Sequence, residues 1–176
     1  QSLTRFHDTV KLIWPVLSTA SSYVCDENNL QFTGGGNGPY YSLTSNSNYS
    51  PLYMLGILTH PIFEAMVKAG ASEFRGAYYS HGKQFIENIP IRRIDFSKAD
   101  EKKKHDGIVK LVKQLIDAKA KLNEAHLAAK KNILKRKLDF LFNNLIGQIN
   151  SLYKITDAEM SAVTKDEILS ADINEN

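Results

Sequence analysis

Apolar and polar positions follow two different rhythms along this chain. Up to about Ser50, short runs rich in β-branched and aromatic residues are bounded by turn formers, which predicts strands at Lys11 to Trp14, Ser22 to Cys25, Leu30 to Thr33 and Tyr40 to Thr44. Pro15 offers no ladder donor and therefore ends the first strand or places it at an edge. Asp26-Glu27-Asn28-Asn29 supplies residues that tolerate left-handed conformations and bond their own backbone, which predicts a hairpin between the second and third strands. The expected scaffold is an antiparallel sheet.

Helical signals follow. Ser50 caps and Pro51 opens a helix carrying Leu52, Leu55, Ile57 and Leu58. His60-Pro61 breaks it, because the residue before proline is pushed out of helical geometry, and a second piece runs from Ile62 to Lys68 before Ala69-Gly70 ends it. His60 reads as a turn or capping residue, since neighbouring ligands at metal spacing are missing. The stretch Phe74 to Ile91, FRGAYYSHGKQFIENIPI, then gathers Arg75, Gly76, Tyr78, Tyr79, His81 and Lys83. Tyr78 and Tyr79 alternate in an expected strand, one ring inward and one outward, and Phe85, Ile86 and Ile89 form a helical turn that Pro90 closes.

From Asp106 onward Ile108, Val112, Leu115 and Leu122 recur at helical spacing, and after Leu134 so do Leu138, Phe142, Leu145, Ile149 and Leu152. No Pro or Gly lies between Asn123 and Lys131, so periodicity leaves open one long rod or an antiparallel hairpin turning near Glu124 to Lys130. His105 and His126 read as solvated helix residues. Thr156-Asp157-Ala158-Glu159 and Thr164-Lys165-Asp166-Glu167 both have the capping-box pattern, and the acidic segment from Ser170 to Asn176 is expected to fray.

Composition narrows the class. At 176 residues, 43% hydrophobic and 23% charged, the chain supports one core or one core plus an appendage. The single Cys25 excludes an intramolecular disulfide framework and a multi-cysteine zinc site, and it points to a reducing, cytoplasmic compartment. Cys25 itself reads as a small buried hydrophobe. No run approaches about 18 consecutive apolar residues, so no membrane segment is expected, and QSLTRFHDTV has no signal-peptide core. The opening without Met, in a strand-forming region, suggests a piece of a longer protein. Net charge is +3, but residues 98–137 hold thirteen Lys and Arg against five Asp and Glu, while residues 1–97 hold seven of each and residues 138–176 two against seven. Such a basic block attracts a polyanion or solvates a helix face.

The segment FTGGGNGPYY tests for a phosphate cradle. Gly34, Gly35, Gly36 and Gly38 are followed by Pro39-Tyr40-Tyr41, which supplies neither the Lys nor the hydroxyl of a nucleotide loop. The glycines instead allow positive φ and the close approach of another backbone, protein or DNA. Ser45-Asn46-Ser47-Asn48 carries hydroxyls and amides, the groups that bond base edges.

The run YMLGILTHPIFEAMVKAGASEFRGAYYSHGKQFIENIPI, preceded by FTGGGNGPYY and followed by a lysine-rich helical pair ending LYKITDAE, resembles the carboxy-terminal specificity domain of the TaqI-like adenine DNA methyltransferases. It is most similar to that of single-chain type IIG restriction-modification enzymes, and the GGGNGPYY loop and FRG to IPI block are the most specific parts. The resemblance implies a module that reads a short site in double-stranded DNA for a methyltransferase that flips an adenine. It also implies an α+β fold: a small, mostly antiparallel sheet with packed helices, of target-recognition type, followed by a long C-terminal helical hairpin. The expected segments are residues 1–97 for recognition, 98–154 for the hairpin and 155–176 for short capped helices and tail.

No catalytic or metal site is expected in this chain. The family's Asn/Asp-Pro-Pro-Tyr/Phe tetrapeptide is missing, because Gly38 stands at the first proline of Asn37-Gly38-Pro39-Tyr40, and Asp117-Ala118-Lys119 lacks the partner a nuclease centre needs. S-adenosylmethionine is expected only in an upstream methyltransferase domain of the same polypeptide. Arg75 beside Gly76 suits bidentate contact with guanine or phosphate, and Tyr78, Tyr79, Ser80, His81, Lys83 and Gln84 are candidates for bases and phosphates. Gly35, Gly36, Asn37, Ser45, Asn46 and Asn48 complete the candidate DNA set. The alternative is a protein interaction module acting through the helical pair.

Overall fold

The computed structural model describes residues 9–31, 39–45, 48–74 and 76–163. The chain is an α+β protein with two compact units, one formed by residues 1–91 with 156–176 and the other by Arg92–Ile155.

In the first unit β1 (Lys11–Pro15) lies between β3 (Val24–Asp26) and β4 (Tyr40–Thr44), both antiparallel to it. Pro15 pairs with Tyr40 at the last position of the central strand, so it closes the strand and does not mark an edge. Val16 then carries the chain toward β2 (Leu17–Ser18): its N–H donates to the Pro39 carbonyl at 2.9 Å and its own carbonyl accepts from the His81 N–H at 2.7 Å. A second antiparallel sheet has the order β2, β6 (Tyr78–Ser80), β5 (Glu73–Phe74). Trp14, buried with its ring against those of Tyr23 and Tyr41, donates its indole N–H to the His81 carbonyl at 2.8 Å.

The hairpin expected after Cys25 is not seen among the described residues. Lys11 and Asp26 are opposite each other in the ladder, both buried, with Nζ 2.8 Å from the carboxylate. The Asp26 carboxylate also accepts from the amides of Asn28 and Leu30, at 2.9 Å each, and Asn29 takes φ of 56°. The chain is thereby folded into a turn, and Leu30 and Gln31 lie outside any strand; Phe32 and Thr33 fall outside the described residues. Cys25 is half-buried, not fully buried, and burial, then Glu27 and Asp26, push its thiol up.

The helices follow their local chemistry. Ser50 Oγ accepts from the Leu52 amide at 3.2 Å and Pro51 stands at the start of α1 (Pro51–Leu58), which buries Tyr53, Leu55, Ile57 and Leu58 against β1 and β3. His60 is buried and caps α2 (Pro61–Gly70), its Nδ1 accepting from the Ile62 amide at 3.3 Å. The short α3 (Lys83–Ile86) buries Ile86, and the Phe85 ring lies against Gly70 of α2. After the second unit, Thr156 and Glu159 form a reciprocal capping box, with Thr156 N–H 2.7 Å from the Glu159 carboxylate. Thr164 to Glu167 and the acidic tail lie outside the described residues.

The second unit is the hairpin of α4 (Ala99–Glu124) and α5 (Ala128–Tyr153). Ala125 and Leu127 have extended backbone, which ends one helix and starts the next. Ile108, Val112 and Ala118 of α4 and Leu134, Leu141, Leu145 and Ile149 of α5 form its core. Two expectations change here. Leu141, 6% exposed, takes the position given to Phe142, which is 36% exposed. The run 134, 138, 141, 145, 149 has a spacing of four or three, which keeps a straight stripe where Phe142 drifts off it. His105 is buried rather than solvated, edge-on to Phe96 with centroids 5.1 Å apart and its Nδ1 2.9 Å from Asp106. α4 starts behind a turn in which Asp95 accepts from the Ser97 amide and hydroxyl. Among the described residues no helix is long and apolar enough to cross a membrane, and no group of three His, Cys, Asp or Glu is gathered to hold a metal.

Candidate nucleic-acid interface

The stretch from Phe74 to Gln84 is built on the second sheet. Glu73 pairs with Tyr79 and Phe74 with Tyr78, so three residues, Arg75 to Ala77, join β5 to β6. Gly76 at φ of 77° and Ala77 at 58° both stand in the left-handed region, which glycine enters freely and alanine only under constraint. Arg75 lies outside the described residues.

Alternation along β6 sorts its side chains onto two faces. Tyr79 shares a face with Glu73 and Ser18. Its hydroxyl is 3.4 Å from the Glu73 carboxylate, and Lys68 Nζ of α2 lies 5.6 Å from its ring centroid. Burial, and then Glu73, hold this phenol above its ordinary range. The opposite face carries Phe74, Tyr78 and Ser80, with Leu17 across from Ser80. Phe74 is 51%, Tyr78 46% and Leu17 44% exposed. Two rings paired across a tight hairpin are thus open to solvent, and the Tyr78 ring lies 3.7 Å from where a Cβ on Gly76 would stand.

The other expected residues divide. Ser80 is half-buried, its hydroxyl accepting from the Gly82 amide at 3.3 Å. Lys83 and Gln84 are exposed on α3, with Lys83 3.8 Å from Glu87. Asn48 is exposed and Ser45 half-buried, both after β4. Gly35, Gly36, Asn37 and Asn46 lie outside the described residues.

His81 is a correction. It is 1% exposed, with Nε2 3.1 Å from each oxygen of buried Glu64 and Nδ1 3.1 Å from the Tyr79 carbonyl. Both ring nitrogens face acceptors inside the unit, so this side chain ties α2 to β6 and presents nothing to a phosphate. Phe74 joins the candidate residues as a surface group. Its signal was a spacing: an aromatic four positions before Tyr78, across a glycine-containing tip, makes a cross-strand pair.

No protein-family model matches the chain. Over 110 residues, 61% of this chain, it is 30% identical to the type II restriction enzyme and methyltransferase RM.Eco57I of Escherichia coli. The chain spans 11% of the length of that relative. This similarity relates it to a restriction-modification enzyme.

Proposed function

We propose that this chain is the target-recognition part of a restriction-modification polypeptide, reading duplex DNA for an N6-adenine methyltransferase upstream in the same polypeptide. The observation that carries the reading is the solvent-open Phe74–Tyr78 pair on a tight hairpin, and Arg75 follows Phe74 in sequence. Exposed rings of this kind stack on or wedge beside bases, and an adjacent guanidinium discriminates guanine. The similarity to a restriction enzyme and methyltransferase supports the setting.

In this reading the chain performs no chemistry. S-adenosylmethionine is held by the methyltransferase domain, with or without a fused nuclease. Lys83 and Gln84 meet phosphates beside Ser80, and Gly35, Gly36, Asn37, Ser45, Asn46 and Asn48 remain the candidates for base edges. Tyr79 backs the hairpin.

The test is site choice by the full polypeptide, read by methylation protection over a library of duplex sites. Tyr78→Ala and Arg75→Ala are expected to relax or abolish the preference, Arg75 by about 1–3 kcal/mol for one bidentate base contact. An unchanged preference in both variants removes the hairpin from the reading. A second reading, a protein interaction module, is favoured by the exposure of Ile133 at 67% and Phe140 at 66% on α5. Salt separates the two, because binding through several cations weakens steeply as salt rises and an apolar interface does not.

A further inference from the structure

Charge is divided unevenly between the two units. Residues 92–155 carry sixteen Lys and Arg against seven Asp and Glu, whereas the rest of the chain carries six against twelve. Affinity for DNA comes largely from cations that displace counterions at phosphates. The helical hairpin therefore holds the attraction that the unit bearing Phe74 and Tyr78 lacks.

On α5 the cations of the first turns give way to an uncharged polar face. Ile133, Lys137, Phe140, Asn144, Gln148 and Ser151 follow one another at steps of four or three, so they share a face beside the buried stripe. No acid lies in that series, and from Phe140 to Tyr153 the helix has no charged residue at all. Asn143, Asn144, Gln148 and Ser151 are nevertheless exposed. A helix face that meets only water normally carries charge. A groove of about 740 Å³ runs beside these amides, and Lys103, Lys104 and Asp100 of α4 line its other side. Gly147 lines the groove, and a Cβ there would meet no other element within 4 Å.

Amides flanked by lysines suit one ligand in particular. Asn and Gln bond adenine edges in two places, lysines hold phosphates, and a ring such as Phe140 meets a thymine methyl group. We infer that this face of α5, with Lys103 and Lys104 across the groove, is a second duplex-DNA contact. Lys103, Lys104 and Lys137 take phosphates there, and Asn144 and Gln148 meet base edges. The inference rests on the DNA-reading function proposed above and assigns to the hairpin a reading role of its own.

The test is fluorescence anisotropy of the whole chain with a labelled duplex over a range of salt. A Lys103→Gln, Lys104→Gln, Lys137→Gln variant is expected to flatten the plot of log affinity against log salt by about 0.9 per cation removed. Lys102→Gln, Lys113→Gln and Lys135→Gln, off this face by helical spacing, are expected to change the slope far less. Asn144→Ala with Gln148→Ala is expected to keep the slope and narrow the difference in affinity among duplex sequences. All are exposed positions, so helicity and melting should match the parent. Equal slopes for the two lysine variants overturn the inference, and the function proposed above still stands if Tyr78→Ala weakens binding. Loss in the first lysine variant with none in Tyr78→Ala supports the hairpin contact and removes the aromatic one. A chain that binds no duplex at any salt sinks both.

Discussion

Glu64 and His81 stand seventeen residues apart in sequence and are joined at 3.1 Å through both carboxylate oxygens. The pair links α2 to the end of β6, while the His81 main chain links β6 to Trp14 and Val16. Glu64→Leu leaves the buried ring facing nothing polar on that side and is expected to cost about 1–3 kcal/mol of stability, the cost of a buried polar group left without its partner. Glu64→Gln retains a hydrogen-bonding oxygen and should cost less. Urea unfolding of the two variants measures the difference.

Phe74 and Tyr78 should behave in the opposite way. Both rings are half open to solvent, so alanine at either is expected to move stability by no more than about 0.5 kcal/mol. Binding to a cognate duplex by the full polypeptide should fall by at least about tenfold, or about 1.4 kcal/mol. Parallel losses in unfolding and binding would mark the rings as packing groups.

Acid should loosen the first sheet through Asp26. The Lys11 ammonium, followed by the Asn28 and Leu30 amides, holds its carboxyl below the ordinary 3.8, although burial opposes this. A group depressed in the folded state contributes stability that is present above its unfolded value and is lost as pH falls through the folded one. The fluorescence of Trp14, on the same strand, should therefore hold to below about pH 4 and then change. Lys11→Met is expected to move that transition to higher pH and to weaken the sheet at neutral pH.

The hairpin core gives a paired test. Leu145, 2% exposed, should cost about 2.7–5 kcal/mol when replaced by alanine. Phe142→Ala, on a residue outside the buried stripe, should cost far less. Thermal melting followed at a helical wavelength compares them, and equal losses would place Phe142 back in the core.

Much of the fold was legible because its signals are local. Ser50-Pro51 and His60-Pro61 state where helices start, and Tyr40 to Thr44 is a strand at the expected residues. The errors arose where a distant residue decides. Asp26 turns the chain at Asn28 while Lys11, fifteen positions earlier, holds it, so the composition of Leu30 to Thr33 did not produce a paired strand over Leu30 and Gln31. His81 looked like a surface group because Gly82 and Lys83 surround it, and Glu64 that buries it lies two elements back. Phe142 and Leu141 differ by one step of 100°, a distinction that only the partner helix resolves.

Val16 ties the two sheets of the first unit together through its main chain. One residue donates to the chain beside β4 and accepts from the chain after β6, so opening either sheet strains the other. Its amide and that of His81 should be among the slowest to exchange with deuterium in this unit. A backbone held in place before any ligand arrives loses little conformational freedom on binding, and what is saved remains available to separate one sequence from the next.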